Sequence, residues 1–393
     1  LAALALIGVG GVAALAVSDQ VERFVPVCAL VDGQAGVDGV SQVASMAFAD
    51  DRVYLSSQLD NCLTVVSRDE GGKLKVVEHV AREAQSPVPA GAKLVPAEQA
   101  VRVGGGRIAV SKDHRYLFIA SDQNILVFER GEDEQLALRS AYGDPPNTIP
   151  YAGMLDFALS PDERFLLCNR LRDGVIEVLA FDRDAKQLTR VQEVSGLGRC
   201  EDLAMSPDGR HLYAPSRTNQ LVYVFNIDPA SGKLTKSQEL KDRDCGMRTL
   251  KNVATAKVSP DGKLLVVSSV RNTGEVSVLS RDSESGKVVP VQHLTDKELG
   301  NADLNDADCI AFSDDAKTLF LGCRESHCVV VLSKEEKTSS FKPLETIRHP
   351  TIERPTCLEV DRGSLFVCSG ESGAVTVFRI NDRMSKPTEE TMK

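Results

Sequence analysis

Tryptophan is absent from the 393 residues, and aromatic side chains make up only 5%. Val, Leu and Ala must therefore fill the core. None of the ten cysteines forms a C-x-x-C pair, which excludes a zinc ribbon or a thioredoxin-type motif. In a chain this long they do not make a disulfide framework, and most read as small buried hydrophobes in strands. No Lys/Arg stripe with interleaved aromatics appears, and the net charge is −10. That argues against nucleic acid as a partner. Gly104-Gly105-Gly106 has no following GK[ST] and no strand–turn–helix context, so it is not a phosphate loop. A nucleophile elbow and a Ser-His-Asp set are missing. The six histidines, His79, His114, His211, His293, His327 and His349, share no metal-ligand spacing. No cofactor is implied.

Long apolar runs are lacking too, apart from one. Leu1 to Val17 carries no charge and no polar side chain. It reads as a membrane anchor, an apolar helix slightly short of the roughly 20 residues a span needs. An uncleaved secretory signal is the alternative, since Ala14-Leu15-Ala16 is an A-x-A pattern; a buried core segment is a third reading. Either of the first two places the rest of the chain on the extracytoplasmic or lumenal side, whether thylakoid lumen, intermembrane space or periplasm. The expected division is an anchor or signal-like segment over 1–18, a folded body over 21–380 and a polar tail over 381–393.

What the body has in abundance is repetition. Ser160-Pro161-Asp162, Ser206-Pro207-Asp208-Gly209 and Ser259-Pro260-Asp261-Gly262 recur about every fifty residues, with degenerate copies at Ser111-Lys112-Asp113 and Ser313-Asp314-Asp315. Pro presets the bend and Gly takes the positive φ. Around each turn lie apolar runs of strand length. Seven units can be laid out, starting at Ser41, Val101, Met154, Arg199, Val253, Asp306 and Arg354. Four short antiparallel strands per unit predict an all-β, seven-bladed β-propeller. The seventh unit lacks a fourth strand, and the orphan run Arg23–Val31 is expected to complete it and close the ring. Two insertions, Arg82–Gln99 and Thr295–Asp308, are candidate grafts or plain linkers.

Blade entries place Arg107, Asp156, Arg199, Glu201, Asp202, Asp306, Asp308 and Arg354 at the central mouth. Such groups can act as acid and base, or tie blade to blade as salt bridges, the favoured reading. The alternating oxygens of Asp303, Asn305 and Asp308 suggest a weak calcium loop, but the Gly and Glu of an EF-hand loop are missing. Cys309 with Cys323, and Cys357 with Cys368, flank hairpin turns and are candidate cross-strand bridges.

A second phrase follows in each unit, clearest in Val222-Tyr223-Val224-Phe225-Asn226-Ile227-Asp228-Pro229 with Gly232-Lys233-Leu234-Thr235. With the Ser-Pro-Asp-Gly turns, it resembles the seven-bladed lactonase family, whose named member is bacterial 6-phosphogluconolactonase. The resemblance covers roughly residues 40 to 380. It implies opening of a sugar lactone at the mouth, with Arg199, Glu201, Asp202 and Arg354 as candidate catalytic residues. The family's Cys-His entry corresponds to Cys200-Glu201, and its Pro-Arg entry to Pro355-Thr356. Both departures remove groups suited to proton transfer and to holding an anion. The leading expectation is therefore a non-catalytic, membrane-tethered propeller, an accessory subunit bound to other proteins of a membrane complex. The alternative is a lactonase acting on a lactone such as 6-phosphogluconolactone.

Overall fold

The computed structural model describes residues 23–82, 93–95, 103–121, 124–143, 156–171, 173–241, 250–270, 274–300, 303–335 and 338–381. The apolar segment 1–18, most of the Arg82–Gln99 insertion and the tail beyond 381 lie outside them. The described strands form seven antiparallel sheets. Their innermost strands are Val43–Ala49, Ile108–Val110, Phe157–Leu159, Ala204–Met205, Val253–Val258, Ala307–Phe312 and Pro355–Asp361. These open blades 1 to 7 in chain order. Every unit expected from the repeat is present.

Ring closure falls where the orphan run required it. Phe24–Val31 pairs antiparallel with Ala374–Ile380, from Phe24 opposite Ile380 to Val31 opposite Ala374. The strand becomes the outer edge of blade 7, so both ends of the ring are joined by backbone hydrogen bonds. Blade 1 departs from the four-strand rule. Lys93–Val95, inside the first insertion, adds a fifth strand parallel to the blade's outer strand.

Second and third strands are sandwiched between neighbouring blades and are apolar almost throughout; Leu264–Ser269 is buried at every position. Outer strands are far more exposed; in Gln187–Val194 Leu188 alone is buried. No blade owns a core. Leu264, Val266 and Val278 of blade 5 pack with Ile310, Leu319 and Leu321 of blade 6. Burial of apolar area therefore stabilises the ring rather than the single sheet.

The Ser-x-Asp turn is a repeated hydrogen-bond unit. The Ser206 hydroxyl donates to Asp208 at 2.5 Å and accepts the His211 N–H at 3.0 Å. Ser160, Ser259, Ser313 and Ser111 repeat the pattern. Where Gly is replaced, the left-handed position is still used: Glu163 and Ala316 have φ of 60° and 58°. Asp208 then reaches the next blade through Arg281, a fully buried guanidinium 2.9 Å away that also donates to the Tyr213 hydroxyl and the Gly262 carbonyl.

A second tie repeats at the rim and was not expected from the sequence. The Gln192 amide donates to the Leu234 carbonyl and accepts the Leu234 N–H, at 3.1 and 2.6 Å. Gln238 clasps Val288 in the same way, at 3.0 and 2.9 Å. Gln292 clasps Phe341 at 2.8 and 2.7 Å. Three successive blade interfaces are pinned by one side-chain geometry. Gln238→Ala should lower stability by about 1 kcal/mol, the cost of losing half-buried hydrogen bonds. A urea midpoint that falls at unchanged slope checks this; an unmoved midpoint would count against the clasp.

Candidate functional site

The inner strands enclose an axial cavity of about 340 Å³. Five of the eight expected mouth residues line it: Arg107, Asp156, Glu201, Asp202 and Asp308. Arg199 sits beside it, with Nε 2.7 Å from Glu201. Arg354 turns away to Glu325 at 2.5 Å on the rim. Asp306 is buried at a left-handed turn, where its carbonyl accepts the Arg324 N–H at 2.9 Å. Lys257 and Glu359 were missed. They form an ion pair at 3.0 Å across the channel wall. The signal of Lys257 was legible in principle: Thr255 and Lys257 occupy alternate positions of an otherwise apolar strand, which marks one face.

Each charged group has a structural occupation. Asp156 accepts the Leu203 N–H of the next blade at 2.6 Å and lies 3.6 Å from the Arg107 guanidinium. Asp202 accepts with both oxygens, from Leu203 N–H at 2.9 Å and from Ala256 N–H of blade 5 at 2.8 Å. Thr356, in the Arg position of the family, donates its hydroxyl to the Val43 carbonyl of blade 1 at 2.7 Å. Ser45 accepts the Ile108 N–H, and Thr255 donates to the Asp308 carbonyl. The mouth is thus a ring of ties between blades.

Electrostatics follow from crowding. Burial pushes the Asp156 carboxyl well above the usual carboxylate range; Arg107 opposes this, and neighbouring Asp202 adds to it. For Arg107, burial is outweighed by Asp156, Asp202 and Glu359, which raise its pKa and keep it charged. Burial brings Asp308 up to about 6, against the pull of Arg324 and with help from Asp306 and Glu201. Glu201 is clamped by Arg199 at 2.7 Å and Arg217 at 2.8 Å. The lining carries two cations, Arg107 and Lys257, against five acidic residues.

Of the weak calcium set, Asp308 faces the channel and pairs with Arg324 at 3.4 Å, whereas Asp303 pairs with Arg348 outside it. Among the described residues, three carboxyls able to hold a cation converge elsewhere: Asp32, Asp38 and Asp60, within 4.8 Å of one another. They already accept bonds from Val40, Gly39 and Ser41.

Seven blades around an acidic axial channel define the class: a lactonase-like propeller. The family model for the seven-bladed lactonase β-propeller matches residues 45–201 and 197–298, and the chain belongs to that family. Solved structures share the fold at low identity. A proposed 6-phosphogluconolactonase from Bacteroides uniformis is 20% identical, with TM-score 0.61 over 80% of this chain and 87% of its own. The periplasmic gluconolactonase of Pseudomonas aeruginosa is 18% identical, with TM-score 0.61 over 80% and 86%. Kuenenia stuttgartiensis hydrazine synthase is 16% identical, with TM-score 0.60 over 90% and 100%. No curated protein matches the chain in sequence.

The Asp308 shift has a signed consequence. Its folded pKa of about 6 lies above the ordinary value of 3.8. The folded state therefore holds the proton longer, and this group lowers stability as pH rises through that window. Glu201→Gln removes one negative neighbour and should lower the Asp308 pKa while burial keeps it above the ordinary value. Carboxyl ¹³C NMR titration checks this; an unchanged or raised pKa would contradict the assignment.

Proposed function

We propose that this chain is a non-catalytic, membrane-tethered propeller that serves as an accessory subunit of a membrane complex. The propeller then stands on the extracytoplasmic or lumenal side. One observation carries the non-catalytic reading: the mouth carboxylates and arginines are committed to neighbouring blades or to each other. An acid–base catalyst needs a group free to exchange protons with substrate. The acidic excess of the lining also repels a phosphorylated lactone. Support for the tether is the uncharged run Leu1–Val17. It precedes by a few residues the strand Phe24–Val31 that closes the ring, so a membrane attachment there would bear on the closing blade. Among the described residues, no helix is long and apolar enough to cross a membrane.

Lactone hydrolysis is the second reading. Asp308, with a pKa near 6 and Glu201 as an electrostatic neighbour, is the observation that favours it. A pH-stat assay with δ-gluconolactone and 6-phosphogluconolactone separates the two. We expect no proton release above the uncatalysed rate. Turnover abolished by Glu201→Gln or Asp308→Asn would install the hydrolase instead. For the tether, the full chain should float with phosphatidylcholine vesicles and a chain starting at Arg23 should not; equal behaviour of both would remove the membrane from the proposal.

A further inference from the structure

The nine described cysteines are free thiols, eight of them buried. They are not evenly spread. Six fall in blades 6 and 7, and four of these face each other in pairs across antiparallel strands. Cys323 lies opposite Cys328, and Cys357 opposite Cys368. The expected partner of Cys323 was Cys309, and the register corrects this. The register counted from the hairpin turn, Phe312 opposite Leu319, already sets Cys309 opposite Gly322, and a bulge beyond it sets Ala307 opposite Cys323.

The Cys357–Cys368 pair differs from the other in where it opens. Cys357 is part of the channel wall, between Thr356 and Leu358, and is 9% exposed. Cys368 lies behind it with no exposure, and their side chains are within hydrogen-bonding reach. Cross-strand neighbours in an antiparallel sheet have Cα atoms about 4.5–5.5 Å apart, inside the span a disulfide bridges. Cys309 also lines the cavity, but its thiol packs on blade 6, donating to the Gly322 carbonyl at 4.0 Å. Cys323 and Cys328 are both fully buried, and the Cys328 thiol faces the Asp303 carbonyl.

We propose that Cys357 and Cys368 form a redox-active dithiol addressed through the central channel by small-molecule disulfides such as oxidised glutathione. The Cys357 thiolate attacks one sulfur of the small disulfide. A mixed disulfide forms, the S–S bond of the reagent breaks, and one small thiolate leaves. Cys368 then attacks the Cys357 sulfur and expels the second small thiolate, which takes up the Cys368 proton as it leaves. The protein pair loses two electrons and two protons, and the reagent gains them as two thiols. Cys357 is the entering thiol because it alone of the pair reaches the cavity; Cys368 is the resolving one.

The bridge would join the inner two strands of the closing blade. That blade also holds the strand Phe24–Val31 and the Thr356 tie to Val43. Oxidation would thus staple the inner hairpin of the blade that closes the ring.

The test is thiol mapping on the folded full chain after equilibration in glutathione buffers of graded redox ratio. Differential alkylation and peptide mass analysis should find one protein disulfide, joining Cys357 to Cys368, and no lasting glutathione adduct. Cys368→Ser should instead accumulate a glutathione adduct on Cys357. Cys323→Ser and Cys309→Ser should leave the bridge intact. The proposal is overturned if all thiols stay alkylatable at the most oxidising ratio, or if the bridge found is Cys323–Cys328. An adduct that persists on wild-type Cys357 overturns it as well.

Discussion

The structure depends on satisfying the backbone where seven strands converge on one axis. The innermost strands of blades 2, 3 and 4 are only three, three and two residues long. Strands this short leave inner N–H groups with few ladder partners, and a buried N–H without an acceptor is costly. Side chains supply the acceptors. Ser45 takes the Ile108 N–H of blade 2 and Asp156 the Leu203 N–H of blade 4, and at the longer inner strand of blade 5 Asp202 takes the Ala256 N–H, each crossing to the next blade. The carboxylates sit at the mouth because the ring needs them there. The altered electrostatics of Asp156 follow from that placement: burial, with Asp202 close by, makes its carboxyl bind a proton more tightly than an ordinary one.

This constraint bears on chemistry. In a family whose members include lactone-opening enzymes, polar groups at the same entries would be expected to meet substrate. Here Thr356 is spent on the Val43 carbonyl, and Glu201 is held between two arginines. A mouth organised this way is rigid and acidic. It fits the scaffold proposed above better than a site that must exchange protons and release an anion. The rim clasps of Gln192, Gln238 and Gln292 strengthen the same picture from the outside.

Much of the fold was legible because its period is written locally. Ser206-Pro207-Asp208-Gly209 marks a turn by its own chemistry, and the missing fourth strand of the last unit pointed to Arg23–Val31. The candidate site was legible only in part. Entry residues such as Asp156 and Asp202 could be picked by their place before each turn. Lys257 was marked by its alternation with Thr255, but Glu359 was not, because only closure of the ring decides which strand face looks into the channel. The partner of Cys323 was misjudged because the hairpin turn sets the register one residue away from the symmetric pairing, leaving Cys309 opposite Gly322. Lys93–Val95 was hidden in a Pro-rich insertion whose strand is too short to show a period.

The claim that the mouth carboxylates hold the ring together can be tested at Asp202. In Asp202→Ala, the Ala256 N–H loses its side-chain acceptor outright, while the Leu203 N–H keeps Asp156. Denaturant unfolding of this variant, with lactone turnover followed on the same sample, is the most direct measurement. The account predicts a stability loss of about 1–3 kcal/mol, the range for an unsatisfied buried donor, with no turnover in either protein. Unchanged stability together with a native turnover that the substitution abolishes would contradict it.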